Sequence, residues 1–253
     1  MKLSYQLLAF MMVLVWCMAA LAAPMPKEKE KEHEGTNVDS GTFGVYQKGH
    51  RVGTETFSIY QTSNGSVITS EFKTENEPTQ DVQTSEMQLT ATGDIRRYEW
   101  KEVSPEKGES VLLPNGEFLT QKWSAGPGEK EHEQPYLLPP STSILDDYFF
   151  IHREVLAWKF LGTACKQDKG QLLCTPKRRT QFGTINPRQR ISASLTAEVL
   201  GRETITRKGV PQDLLKLELK SDAGTWEVWL DDHDRFKVMR ISIVGENTEV
   251  ERD

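Results

Sequence analysis

The densest set of side chains able to do chemistry is Asp231-Asp232-His233-Asp234. Hard cations bind several oxygens carried on one loop, so a divalent metal is one use for it. The set also falls where one alternating run ends and the next begins at Arg235-Phe236, and short polar side chains favour turns there. The turn is the preferred reading. Glu30, His33 and Glu34, and again Glu131, His132 and Glu133, have the right donor types but lie in charged stretches with no apolar frame to fix a geometry. No metal and no cofactor is therefore expected. His152 and Glu154, near Asp146 and Asp147, are types that serve general acid–base catalysis. Two positions apart on a helix they point to different sides, and His152 falls on an apolar stripe where a hydrogen-bonded core imidazole is the simpler account. The chain has no Gly-x-Ser-x-Gly elbow, no phosphate-cradling loop and no dinucleotide fingerprint. No catalytic residue is assigned, and a hydrolase using His152 or the Asp231–Asp234 loop ranks third among the functions considered. Lys177-Arg178-Arg179 with Arg188 and Arg190 is a basic patch, read as a charged strand edge before an anion site. Asn64-Gly65-Ser66 fits a glycosylation acceptor, but a hairpin explains it better.

The frame for these residues begins with the ends of the chain. It has 253 residues, 31 Lys+Arg against 37 Asp+Glu, and a formal net charge of −6. That acidity argues against nucleic acid, whose phosphates need a basic surface. Met1-Lys2, the apolar run Leu7 to Ala22 and the small-x-small Ala20-Leu21-Ala22 form an export signal over residues 1–22, cleaved near Ala22. The run is too short for a membrane span, and no other segment reaches the ~20 apolar residues one needs. Residues 23–40, rich in Lys, Glu, Pro and His, read as a disordered charged linker. Cys165 and Cys174 survive cleavage, nine positions apart in an oxidising compartment, and are expected to form a disulfide.

Residues 41–253 read as one antiparallel β domain. Phe57 and Ile59 alternate before Asn64-Gly65; Tyr98 and Trp100 share a face. Leu195, Ala197 and Val199 alternate with polar residues, as do Leu215, Leu217 and Leu219, then Trp226, Val228 and Leu230. One apolar and one polar face mark a sheet covered on one side. Trp229 takes the face opposite Trp226, under a covering loop or exposed. One segment breaks this pattern. After Pro139-Pro140, Ser143 is placed to cap a helix over about residues 144–161, with Asp146 and Asp147 in its first turn. That helix is apolar nearly all round, which requires burial on more than one side. The expected fold is mainly β: a strongly curved antiparallel sheet with one long helix packed on its concave face.

Tyr46-Gln47-Lys48-Gly49-His50-Arg51-Val52-Gly53-Thr54-Glu55-Thr56-Phe57 and Trp226-Glu227-Val228-Trp229-Leu230-Asp231-Asp232, leading into Phe236 to Arg240, resemble a group of exported bacterial proteins of unknown function. These in turn are similar to the half-barrel of the outer-membrane lipoprotein carriers. The resemblance covers roughly residues 41–253 and implies a curved sheet with helix in its concavity; it brings no catalytic residues. The expected function is a non-catalytic periplasmic binding or carrier protein for a lipid or other apolar or amphipathic ligand. Tyr148, Phe149, His152, Leu156, Trp158 and Trp229 are the candidate ligand-binding residues. The alternative is a structural or assembly protein of the cell envelope whose partner is another protein.

Overall fold

The structure, a computed structural model, describes residues 35–75, 77–168 and 171–253. The expected signal segment and residues 23–34 of the expected linker lie outside the described residues. The eight strands β1 (Thr36–Gln47), β2 (His50–Thr62), β3 (Gly65–Thr74), β4 (Val82–Thr90), β5 (Ile95–Ser104), β6 (Glu109–Asn115), β7 (Phe118–Ser124) and β8 (His132–Tyr136) pair in sequence. After β9 (Ser143–Ile144) and the helix α1 (Ile151–Ala164), β10 (Lys166–Asp168) and β11 (Gln171–Leu173) form a separate two-stranded hairpin. A second meander follows: β12 (Arg179–Asn186), β13 (Ile191–Arg207), β14 (Val210–Ser221), β15 (Gly224–Asp231), β16 (Lys237–Ile243) and β17 (Thr248–Arg252). β1 pairs with β17, so the two meanders join into one sheet of 15 strands, running β8 to β1 and then β17 to β12 and β9. The sheet is not closed. It is mixed, because β9 pairs parallel to β12 through Ser143–Thr184 and Ile144–Ile185, while the other described pairings are antiparallel as expected.

The hairpins follow from turn chemistry. Lys48-Gly49 and Lys208-Gly209 carry both central residues at positive φ, the primed turn that matches strand twist. Between β2 and β3 the loop is Ser63-Asn64, one position before the expected Asn-Gly. Gly65 is instead the first residue of β3, where a Cβ would stand 1.9 Å from the Leu89 carbonyl oxygen. Close approach, not turn geometry, selects glycine there.

Alternation places Ile59, Ile68, Met87, Tyr98 and Leu112 on the buried face of the first meander, and Leu195, Leu217, Val228 and Ile241 on that of the second. A bulge between Trp229 and Leu230 breaks the alternation along β16, so Val238 and Ile241 are buried together and Met239 turns to the other face. β1 starts at Thr36, inside the stretch assigned to a linker, because Asp39 has buried ionic partners that its sequence neighbours do not reveal.

The helix also starts later than expected. Asp146 accepts from the Tyr98 hydroxyl (2.9 Å), the Tyr148 amide and Arg188, which holds residues 145–149 out of the helix. Ser143 caps nothing; it is in β9. The first turn has no side-chain cap of its own. Its orphan amides are taken by Glu55 of β2, which accepts from Phe150 N at 2.7 Å and Ile151 N at 3.3 Å. At the other end Cys165 N bonds the Leu161 carbonyl, and Cys165 is disulfide-bonded to Cys174.

Arg252, on the last strand, ties the elements together. Its guanidinium bonds both Asp39 oxygens (3.2 and 2.7 Å), Glu154 of α1 (2.8 Å) and the Val238 carbonyl, and packs over the rings of Phe43 and Phe57. Burial works to raise the Asp39 carboxyl, but Arg252 and Lys237 outweigh it and hold Asp39 below its usual range. Burial, then the hydrogen bond with Asp39, push the Glu154 carboxyl well above its usual range. Replacing Arg252 by Met removes the two hydrogen bonds to buried Asp39, leaving it Lys237 alone, and takes the guanidinium from Glu154. The expected loss is about 3–5 kcal/mol of unfolding free energy in urea titrations; a loss under about 1 kcal/mol, the scale of an exposed pair, would contradict this role.

Candidate functional site

A cleft of about 360 Å³ has aromatic walls. Cross-strand register builds its floor: Trp100 on β5 is opposite Ser110 on β6, Ser110 opposite Trp123 on β7, and Trp123 opposite His132 on β8. Directly paired residues project from the same face. The two indoles therefore stand two strand spacings apart, about 10 Å, with a small serine between them. Gln121 props this floor, donating to Ser110 Oγ (2.7 Å) and the Pro187 carbonyl (2.6 Å) while accepting from the Tyr136 hydroxyl (2.9 Å).

The opposite wall is the turn between β12 and β13, which the bond from Gln121 to Pro187 fixes in place. Arg188 lies 4.3 Å from the Trp100 ring centroid and 4.5 Å from that of Tyr148, and its Nε is 3.3 Å from the fully buried Asp146. Arg190 lies 5.1 Å over Trp123, which also stacks with His132 at 5.5 Å. Two donors at the cleft, Trp100 Nε1 and Arg188 Nη2, are buried and have no hydrogen-bond partner. Glu102 lines the same cleft; burial, then Asp81 and Glu106, raise its carboxyl above the usual range.

Of the six residues singled out from the sequence, Phe149 contacts His152, and His152 and Leu156 line one small space, while Trp229 lies in a separate cluster. Tyr148 is half-buried beneath Arg188 and against Phe72. Phe149, His152 and Leu156 are sealed in the core, and Trp158 is half-buried with its indole N–H on the Phe236 carbonyl at 3.0 Å. Trp229 is 3% exposed, in a separate cluster with Ile205, Leu214 and Met239. Its cross-strand neighbours Lys216 and Arg240 lie 4.7 and 5.1 Å over its ring. The space beside His152, between α1 and the strands, is about 20 Å³, room for one water.

The other chemical candidates are engaged in structure. Asp232 pairs with Arg202, Asp234 with Lys237, and Asp231 accepts the His233 amide, so Asp231–Asp234 is a turn held by cations. Among the described residues no group of three His, Cys, Asp or Glu is placed to hold a metal ion. His152 is fully buried between Tyr98 and Phe149, and neither ring nitrogen has a partner. Burial, then the Arg153 charge, lower it to about 3.

The residues that line the cleft were each visible as types but not as a group. Trp100 shares a strand face with Tyr98 in the sequence, and Arg188 and Arg190 belong to the basic patch. The register across four strands and the Gln121 bond to Pro187 bring them together, and no local pattern encodes either. Comparison with protein families, with curated proteins and with solved structures finds no match.

His152 and Glu55 give opposite pH dependences. The His152 value falls from 6.5 to about 3, so its contribution to stability is complete above pH 6.5 and is lost as pH falls toward 3. Desolvation raises Glu55 from 4.5 to about 7 against its hydrogen bonds, so its contribution is complete below pH 4.5 and is lost as pH rises through 7. Urea titrations from pH 7.5 to 4 are expected to show that His152→Phe removes part of the acid sensitivity and Glu55→Gln part of the alkaline one. A wild-type-to-variant difference that does not change with pH would overturn this assignment.

Proposed function

We propose that this chain is an exported, non-catalytic periplasmic protein that binds a ligand with an apolar face and polar groups in the cleft between Trp100, Trp123 and Arg188. The observation that carries this reading is the cleft itself. It falls within the range of small-molecule sites, whereas the space beside His152 holds about one water and the hollow beside Arg153 is about 110 Å³. The export-signal pattern of residues 1–22 supports the compartment, and so does the Cys165–Cys174 disulfide, a bond that persists where thiols are oxidised.

The half-barrel curvature belongs to the same proposal. Asp146 bonds Tyr98 of β5 and Arg188 just beyond β12, yet these strands stand ten places apart in the sheet. On a flat sheet that is roughly 48 Å. A sheet bent around α1 brings both strands to one carboxylate, and the cleft then lies where the bent sheet stops short of closing. Glu55 of β2, Gly93 beyond β4 and Val238 of β16 all bond α1 or its first turn, which supports the same curvature.

Native mass spectrometry on the mature chain, purified from its own envelope without detergent, tests the reading. The expected result is a reproducible extra mass, stripped by organic solvent and absent from Trp123→Ala. A bare wild-type chain, or a mass that Trp123→Ala retains, would overturn it.

A further inference from the structure

We infer that the ligand of this cleft is a neutral polyhydroxylated chain, an oligosaccharide, seated in the trough that Ser110 leaves between Trp100 and Trp123. This rests on the cleft being a binding site and adds the chemical class. The lining is charged with both signs: Arg188, Arg190 and Lys130 against Glu102, Glu106, Glu109 and Glu129. An anion entering it meets four carboxylates, and a cation meets three cations. Neither sign of net charge is favoured, and an alkyl chain would strip water from charged groups without replacing their hydrogen bonds.

The groups left over call for a ligand that both donates and accepts. Trp100 Nε1 and Arg188 Nη2 are buried donors without acceptors, a costly condition unless an oxygen reaches them. Glu102, beside them, is an acceptor with no hydrogen bond assigned to it. Hydroxyl groups are donor and acceptor at once, so a row of them satisfies both kinds. The indoles supply flat apolar faces of the size that amphipathic rings pack against. Arg190 is exposed and, among the described residues, no carboxylate pairs with it; its guanidinium turns from Trp123 to ligand hydroxyls at little cost.

The test titrates the mature protein by calorimetry with neutral trisaccharides (maltotriose, cellotriose and N,N′,N″-triacetylchitotriose) and with charged counterparts (trigalacturonate and fully deacetylated chitotriose). Concentrations up to about 10 mM register even a Kd of about 1 mM. The expected result is saturable binding of a neutral trisaccharide, weakened at least about tenfold by Trp123→Ala and by Arg190→Ala. Arg190 is exposed, so its variant keeps the wild-type urea midpoint and separates lost binding from lost folding. Tighter binding of a charged trisaccharide, lost in the same variants, would overturn the neutral class and leave the cleft standing. Failure of every neutral sugar would overturn the inference alone if the envelope-purified chain carries a non-sugar mass that Trp123→Ala loses. Without such a mass, both readings fall.

Discussion

The guanidinium of Arg252 is the point on which the structure turns. It lies on the last strand, bonds an aspartate on the first, and reaches Glu154 on the helix, all within a buried frame of two phenylalanine rings. A buried ionic group depends on its partners being present together. Here Lys237 also contacts Asp39 at 3.3 Å, so two cations and two carboxyl groups share the cluster. The backbone contributes as well: the Val238 amide donates to Glu154, and the Val238 carbonyl accepts from Arg252. Removing any of these would leave another without a partner, so one constellation fixes the meeting of both meanders and the helix.

A second tertiary bond sets where the helix begins. Glu55 stands in for the cap that the local sequence was expected to supply, and it does so from a strand some hundred positions away. This shows which parts of the fold were legible. Strand faces were readable because period-two alternation is local: Leu217, Leu219, Val228 and Leu230 are buried as their spacing implied. The disulfide was readable from two cysteines nine positions apart. The helix start was not, because Ser143 and Asp146 have the chemistry of a cap but are drawn to β12, Tyr98 and Arg188 instead. The first five residues of β1 were missed for a similar reason: Asp39 looks like linker until Arg252 is placed beside it.

The site was less legible than the fold. The space beside His152 holds about one water, and a hollow of about 110 Å³ lies between Arg153 of α1, Leu145 and the strands around Ala193 and Trp226. Among the described residues, buried polar atoms without a partner occur on the helix, at His152 and Arg153, and also at the cleft, at Trp100 and Arg188. Spacing along the chain does not report that, since Trp100 and Arg188 are far apart in sequence and meet only through Asp146 and Gln121.

The pairing of first strand with last has a kinetic consequence. Nearly every other strand pairing is with a sequence neighbour, so each meander can assemble from hairpins as its residues emerge, with little loop-closure cost. The β1 edge, by contrast, waits for β17, and until then it presents unpaired backbone to any passing strand. Folding is thereby vectorial up to the last few residues and cooperative only at the end. A chain cut short before Arg252 would hold most of its strands and lack the step that makes them one protein.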